Sequence, residues 1–322
     1  SPVVADLAVL NLQTQPQARI RVVSGEFDPL GVWQSVAALF PEIFKERSSE
    51  IYPQIRHSIE ALFPAGKTAR NFSVDMDYDT ELWNIQNLRF EAYEGQADLK
   101  GSLDFRDDRF RYICEGEIRG LNLGLFVDRK APAPKMLDGT THLKLYLEGE
   151  GWGEEAWRRF LAGQGNMTVE NGQFNDLDIP DALSRIRSFE KITEVIGDKD
   201  RKAFSQLDFK WDLKDGKLTT ENLLLKKNEN IIVDGEGTLG FDGLLNFRLD
   251  VFLPPVIAQE LFPFLSRSFQ KEENVYLGPI PILLSGPFEK PELKPDPAQV
   301  EILEDHIANE RSYEVLLQLI LQ

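Results

Sequence analysis

Apolar and polar residues alternate with a period of two along most of the chain. The stretches "FSVDMDYD" (72–79), "THLKLYLEG" (141–149) and "LDFKWDL" (207–213) place apolar side chains on one face of an extended strand and polar side chains on the other. Such alternation favours an antiparallel sheet with one apolar face over the continuous apolar strands of a parallel sheet. We therefore predict a mainly β protein: a long curved antiparallel sheet, gutter-like or open-barrel-like, with a few flanking helices.

Short turn signals separate several of these strands. Asn-Gly occurs at 171–172, and Asp-Gly occurs at 215–216 and again at 242–243. Asn, Asp and Gly tolerate the positive φ that two-residue hairpin turns require, so each dipeptide predicts a hairpin. Three repeats of this device are typical of a meandering sheet rather than of one specialised loop.

Helical patterns lie between groups of strands. We predict a short helix in "EEAWRRFLAG" (154–163), a longer one from Pro180 to Gly197, and one or two turns in "PPVIAQELFPFLSRSFQ" (254–270). A long amphipathic helix is expected at the C-terminus. The resulting division has three parts: N-terminal strands plus a helical insertion (1–70), an antiparallel β domain (71–297) and the C-terminal helix (298–322).

Charge narrows the classes of partner. Among 322 residues, 36 Lys and Arg stand against 53 Asp and Glu, which gives a net charge of −17. A surface this negative repels phosphate backbones, so we expect no nucleic-acid partner, and it disfavours general adhesion to anionic membranes. No run approaches the 18 apolar residues of a transmembrane helix.

One acidic stretch resembles a calcium loop. Asp75, Asp77 and Asp79 have the spacing of the first three ligands of an EF-hand, but Thr80 and Gln86 stand where Gly and Glu are needed. Alternation instead assigns the three aspartates to the solvent face of a strand. We therefore expect neither a metal nor another cofactor.

Catalytic signals are also lacking in the sequence. The single cysteine, Cys114, cannot form an internal disulfide, and its alternation with aromatic neighbours predicts a small buried apolar residue. His57, His142 and His306 are far apart and have no obvious nucleophile and carboxylate partners. We expect that the protein is not an enzyme.

A family resemblance emerges from the order of three segments. These are "FLAGQGNMTVENGQFNDLDIPDAL" from Phe160, "FSQLDFKWDLKDGKLTTENLLLKKNENIIVDGEGTLGFDGLLNFRLDV" (204–251) and the closing "IPILLSGPFEKPELKPD" (280–296). Together they resemble the C-terminal region of the AsmA family. Upstream, "FSVDMDYDTELWNIQNLRFEAYEGQADLKGSLDF" resembles the strand pair that precedes that region, with a turn at residues 93–95.

The resemblance implies a protein of the Gram-negative envelope. Its bulk would lie in the periplasm, attached to the inner membrane by an N-terminal helix that this sequence lacks. The AsmA family is similar to bridge-like lipid-transfer proteins, whose sheet forms a gutter with an apolar floor and carries no catalytic residues. The implied function is non-enzymatic binding and transfer of phospholipid, or another acyl lipid, between envelope membranes, in support of outer-membrane lipid homeostasis.

The candidate binding surface is the apolar face of the strands. Alternation alone leaves open whether this face forms an open groove or is covered by helices. The candidate floor residues are Phe72, Val74, Met76, Tyr78, Leu207, Phe209, Trp211, Leu239, Phe241, Phe247 and Leu249.

Two further hypotheses concern partners. The apolar end of the C-terminal helix (315–321) is a candidate to plug the groove or to dock a partner. The alternative function is a structural or interaction module of the envelope, whose sheet edge pairs with a strand of another envelope protein.

Overall fold

The structure is a computed structural model in which part of the chain is described. At residues 3–10, 78 and 312–320, among others, the description covers the backbone alone. The helical insertion predicted within residues 1–70 lies outside the described residues. The described ranges are 3–10, 17–28, 31, 69–79, 81–106, 110–127, 137–151, 153–174, 177–196, 202–227, 231–263, 276–288 and 290–320.

Antiparallel strands dominate the described residues. Fourteen strands follow one another across a sheet in the order in which they occur along the chain. The prediction of a mainly antiparallel β protein with flanking helices is confirmed. The strands are β1 (Val3–Leu10), β2 (Gln17–Phe27), β3 (Ala69–Tyr78), β4 (Leu82–Ala92), β5 (Gly95–Asp104), β6 (Arg111–Asn122), β7 (Leu137–Glu150), β8 (Ala162–Phe174), β9 (Ala203–Lys214), β10 (Lys217–Lys226), β11 (Ile232–Gly240), β12 (Leu244–Leu253), β13 (Leu277–Pro287) and β14 (Glu292–Pro295).

Helices occupy the connections between strands. None of the helices in the described part of the chain is both long and apolar enough to cross a membrane. The predicted helices at 154–163 and at the C-terminus are present, as is the short one after Pro254. The helices are α1 (Leu123–Val127), α2 (Glu154–Phe160), α3 (Ile179–Ser184), α4 (Ile192–Ile196), α5 (Pro255–Leu261) and α6 (Pro297–Ile320), with a 3₁₀ turn at Arg187–Phe189.

The chain forms two compact units. Unit 1 comprises residues 1–129, 141–167 and 212–217, and unit 2 comprises residues 130–140, 168–211 and 218–322.

Two of the three predicted hairpin turns are confirmed. Asp215 and Gly216 both have positive φ and join β9 directly to β10. Between β11 and β12 the connection is a three-residue loop in which Gly243 has φ +79°. The turn at residues 93–95, between β4 and β5, is also present, with Tyr93 and Glu94 in the left-handed region.

The hairpin predicted at Asn171-Gly172 is wrong. Both residues lie inside β8, which continues to Phe174. Asn171 has φ +49°, the single left-handed residue typical of a bulge. A Cβ atom at Gly172 would lie 2.1 Å from the ring of Phe204, so the glycine makes room for a buried aromatic residue rather than for a chain reversal.

The single helix predicted from Pro180 to Gly197 is also wrong, because the segment is broken into α3, the 3₁₀ turn and α4. Leu183, Ile186, Phe189 and Ile192 recur every three residues and are all essentially inaccessible. In one continuous α-helix of 3.6 residues per turn, this spacing would rotate the four side chains around the axis. Broken into short turns, the segment buries all four.

Glycines of β11 leave space for large side chains of β12 on the apolar face of unit 2. In the register of β11 and β12, Gly235 is opposite Leu249 and Gly237 is opposite Phe247. A Cβ atom at Gly237 would lie 2.5 Å from Cγ of Phe247, and one at Gly235 would lie 2.5 Å from Cδ2 of Leu249. The two glycines therefore shape this face.

The polar face of unit 1 carries cross-strand ion pairs. Because these pairs are largely exposed, each contributes little to stability, and their main effect is to keep this face polar and to favour this strand register. The pairs, with their N···O distances, are Arg19–Asp75 (3.0 Å), Arg89–Asp98 (3.0 Å), Lys100–Glu115 (2.7 Å) and Lys144–Glu117 (3.0 Å).

We predict that Gly237→Val lowers the free energy of unfolding by about 1–3 kcal/mol, because the new side chain must displace Phe247. Urea unfolding followed by circular dichroism measures the change. Glu236→Val introduces the same side chain at the neighbouring exposed position and is expected to stay within about 0.5 kcal/mol of the parent. Equal effects of the two substitutions would contradict the proposed role of Gly237.

A second prediction concerns pH. Hydrogen bonds from Arg106 lower the pKa of Asp104 to about 2, below its value in the unfolded chain. The stabilisation from this pair is therefore complete above a pH of about 4 and is lost as the pH falls through the folded-state value. Arg106→Gln is expected to raise the pKa of Asp104 towards its ordinary value in a carboxyl NMR titration. Arg89→Gln should leave the pKa of Asp104 unchanged, and a parent-like value in the Arg106 variant would contradict the prediction.

Candidate functional site

One face of the unit 1 strands is apolar across several neighbouring strands. Phe72, Val74 and Met76 of β3 share this face, as their alternation predicts. Val74 is opposite Leu88 of β4, which is in turn opposite Leu99 of β5. The register therefore continues the apolar face from strand to strand. We refer to it as the unit 1 face.

The middle of the unit 1 face is only half-buried. Val74, Met76, Leu88, Leu99 and Ile118 all retain intermediate exposure, in contrast to a packed core. Phe72, which lies on the same face, is 7% exposed. Tyr78 occupies the next alternate position of β3, but its side chain is outside the described part of the structure. A half-buried apolar face of this kind can contact an apolar ligand.

Aromatic rings pack together where β4 begins and β5 ends. The ring centroid of Phe105 lies 5.6 Å from that of Trp83 and 5.2 Å from that of Phe110, which is in turn 5.4 Å from Tyr112. Trp83 and Phe110 are buried. Burial also raises the pKa of Tyr112 to about 12, so its hydroxyl stays neutral. The rings thus form a packed apolar cluster in this part of unit 1.

Cys114 lies on the unit 1 face, opposite Gly101 of β5. It is half-buried, and burial raises the pKa of its thiol. Ile113, the preceding residue, points to the opposite face and is 41% exposed. Because the chain has one cysteine, this position offers a specific probe of what contacts the apolar face.

The three aspartates of the calcium-like stretch bind other parts of the protein. Arg19 donates two hydrogen bonds to Asp75, and these bonds hold the pKa of Asp75 below its ordinary value. Asp77 accepts a hydrogen bond from the side chain of Gln86. Asp79 accepts one from the backbone N–H of Glu81. No group of His, Cys, Asp and Glu in the described residues has the arrangement of a metal site.

Unit 2 contains an apolar cavity of about 180 Å³. Strands β9 to β14 contribute most of its lining, and the rest comes from the start of β7, the end of β8, the start of α3 and residues next to these elements. Of the eighteen described residues that line the cavity, all but Thr220 are apolar. They are Leu137, Phe174, Leu177, Ile179, Leu207, Phe209, Leu218, Thr220, Leu223, Leu225, Val233, Leu239, Leu245, Phe247, Leu249, Leu284, Phe288 and Leu293.

The cavity has a buried floor and a partly exposed rim. Val233 is completely buried and Leu225 is 3% exposed. Leu223 and Leu239 are half-buried, and Phe288 is 37% exposed. The exposure of the rim residues connects the cavity to the surface, so that a ligand can reach it.

Recognition in this cavity depends on apolar contact. Thr220 is buried, and its hydroxyl oxygen accepts a 3.3 Å hydrogen bond from the backbone N–H of Asn222. The hydroxyl is thus engaged by its own strand. The arrangement suits a flexible hydrocarbon better than a ligand that needs directional hydrogen bonds.

The structure brings together five of the eleven predicted floor residues. Leu207, Phe209, Leu239, Phe247 and Leu249 all line the unit 2 cavity.

The other six predicted residues lie elsewhere. Phe72, Val74, Met76 and Tyr78 belong to unit 1. Trp211 is buried further along β9 and does not line the cavity. Phe241 lies in the loop between β11 and β12 and is 37% exposed.

Sequence reasoning missed several cavity residues. Leu218, Leu223 and Leu225 of β10 were not predicted, because their spacing breaks the period of two between 218 and 223. Ile179 and Leu293 come from a helix and a four-residue edge strand. No periodic signal in the sequence identifies these two, since each faces the cavity only through the packing of unit 2.

The family model of the AsmA family matches residues 17–223 of the chain. No curated protein and no solved structure gives a significant match. The matched range covers more than half of the 322 residues, from β2 into β10. The chain therefore belongs to the AsmA family.

Proposed function

We propose that this protein binds phospholipid, or another acyl lipid, and transfers it between envelope membranes without catalysing a reaction. The observation that carries the proposal is the unit 2 cavity, with its apolar lining and partly exposed rim. Moving a lipid along such surfaces breaks no covalent bond, so the proposal needs no catalytic residue and no cofactor.

The size of the cavity supports a hydrocarbon ligand. Apolar cavities of about 150 Å³ stay dry and bind small apolar molecules. A cavity of about 180 Å³ has on the order of six times the about 30 Å³ that one water molecule occupies in the liquid, so it has room for about six methylene-sized groups at the end of an acyl chain. At about 0.8 kcal/mol for each buried methylene group, the gross gain approaches about 5 kcal/mol. The cost of immobilising the chain reduces this gain, so that release remains feasible.

Family membership supports the bacterial envelope as the location of this function. Membership of the AsmA family is consistent with a lipid-related role there. The corresponding proposal is a periplasmic protein that an N-terminal helix attaches to the inner membrane, and whose activity supports outer-membrane lipid homeostasis.

The second candidate, pairing of a sheet edge with an envelope protein, is favoured by β1. This strand is the first in the sheet order, spans eight residues and contains neither Pro nor Lys. At the other end, β14 has four residues and carries Lys294 and Pro295, which discourage further pairing. Binding of a β-strand of another protein to this edge, by a protein whose cavity stays free of lipid, would favour this candidate.

We predict that Leu239→Trp blocks lipid uptake. Leu239 lies on the rim of the cavity, and a larger ring there fills the space that an acyl chain needs. Binding of a fluorescent fatty acid, titrated by fluorescence, should weaken by about tenfold, which corresponds to about 1.4 kcal/mol. The matched control is Thr238→Trp, which places the same side chain on the opposite face of β11. Parent-like binding by the Leu239 variant would contradict an acyl site in this cavity.

A separate prediction tests the unit 1 face. Lipid bound there should slow the alkylation of Cys114 by a neutral maleimide about tenfold or more, because an acyl chain covers the thiol. Mass spectrometry gives the rate with and without phospholipid.

The control for the unit 1 face is Ile113→Cys in a Cys114→Ser background. It places the thiol on the opposite, exposed face, where lipid should not change the rate. Equal protection at both positions, or at neither, would contradict lipid binding at the unit 1 face.

A further inference from the structure

Three large apolar side chains are exposed together at one end of unit 2. Phe241 lies in the loop between β11 and β12 and is 37% exposed, and Leu244 directly follows this loop and is 52% exposed. Phe288, directly after β13, is 37% exposed. We call these three residues the apolar tip. Single exposed apolar residues are common on soluble proteins, but a cluster of them at one point marks a contact surface.

Backbone hydrogen bonds hold the apolar tip in place. The N–H of Phe288 donates a 2.7 Å bond to the carbonyl of Gly243, and Leu244 is opposite Pro287 in the sheet register. The carboxylate of Asp242 accepts a 3.1 Å bond from the N–H of Leu244. The tip is thus preorganised, and little ordering entropy opposes its insertion into another phase.

The apolar tip is continuous with the mouth of the cavity. Phe288 belongs both to the tip and to the cavity rim. Leu245, the residue after Leu244, lines the cavity from the opposite face of β12, so the cavity reaches the end of the sheet that carries the tip. An acyl chain leaving the cavity at this rim would therefore reach the surface beside exposed hydrocarbon.

The charges beside the apolar tip indicate how it would dock. Among the described residues, its exposed charged neighbours in the sequence are Asp242 and Lys290, one of each sign. They give no net attraction to anionic lipid, and the whole chain is strongly acidic. Docking would depend on the insertion of Phe and Leu side chains, the type of residue that anchors proteins at the headgroup boundary.

We propose that the apolar tip docks on the surface of a lipid bilayer and so connects the cavity with the membrane that supplies or receives the lipid. The proposal rests on the proposed function in one respect, since the tip is taken as the mouth of a lipid site. The contact with the bilayer itself can be tested separately.

The test is flotation of the full chain with phosphatidylcholine vesicles. The parent should bind, and Leu244→Glu should lower the bound fraction about tenfold, because a carboxylate resists transfer into the bilayer interface. Salt between about 50 mM and about 1 M should have little effect on the parent, since apolar insertion is not screened. The control is Val256→Glu: Val256 is 76% exposed beyond the opposite end of β12 and should leave vesicle binding unchanged.

Several outcomes separate this proposal from the proposed function. Leu244→Glu should bind the fluorescent fatty acid like the parent, because Leu244 does not line the cavity. If the parent binds vesicles but does not bind the fatty acid, the lipid-transfer function is overturned and the contact of the apolar tip with the bilayer is supported. Leu244→Trp keeps an apolar side chain at this position and provides a second readout. The fluorescence of the added Trp should shift to the blue when the variant binds vesicles.

Three results would overturn the tip as a bilayer contact. The first is parent-like flotation of Leu244→Glu, and the second is vesicle binding that high salt abolishes. The third is a dimer in analytical ultracentrifugation that Leu244→Glu dissociates, which would make the tip a surface between two copies of the chain.

Discussion

The cross-strand register is the constraint on which the rest of this protein depends. Side chains along a strand alternate between faces, so a slip of one residue would move every apolar side chain to the polar face. The register keeps Val74, Leu88 and Leu99 together on one face of unit 1. On the other face it aligns oppositely charged residues such as Arg89 and Asp98. Because the exposed ion pairs are individually weak, burial of the apolar face is the stronger determinant of this register.

Glycine at defined positions turns a sheet face into a shaped surface. In unit 2, Gly235 and Gly237 lack the side chains that would otherwise occupy the face of β11, and Leu249 and Phe247 lie across them. The same device at Gly172 admits the ring of Phe204. Glycine costs conformational entropy in a strand, and here close packing of a large neighbour offsets that cost.

The two units differ in how their apolar residues are buried. In unit 1 the middle of the apolar face remains half-buried, whereas unit 2 encloses a defined cavity between strands and a short helix. The proposed lipid function and the proposed tip contact therefore depend on one property, apolar surface that the fold does not fully bury.

The sequence by itself determined the fold class, the family and the faces of the strands. Local rules are sufficient for these features, because alternation assigns a side chain to a face and an Asp-Gly pair such as Asp215-Gly216 permits positive φ. Tertiary structure alone decided which apolar residues line the cavity. Leu207 and Trp211 share a face of β9, yet only Leu207 reaches the cavity, where it joins Ile179 and Leu293 from segments distant along the chain. Likewise, the ring of Phe204 and the carbonyl oxygen of Asp138 occupy the space where a Cβ atom at Gly172 would lie, a contact that no local signal in the sequence shows. The physical reason is that periodicity reports the direction of a side chain, whereas burial depends on what packs against it.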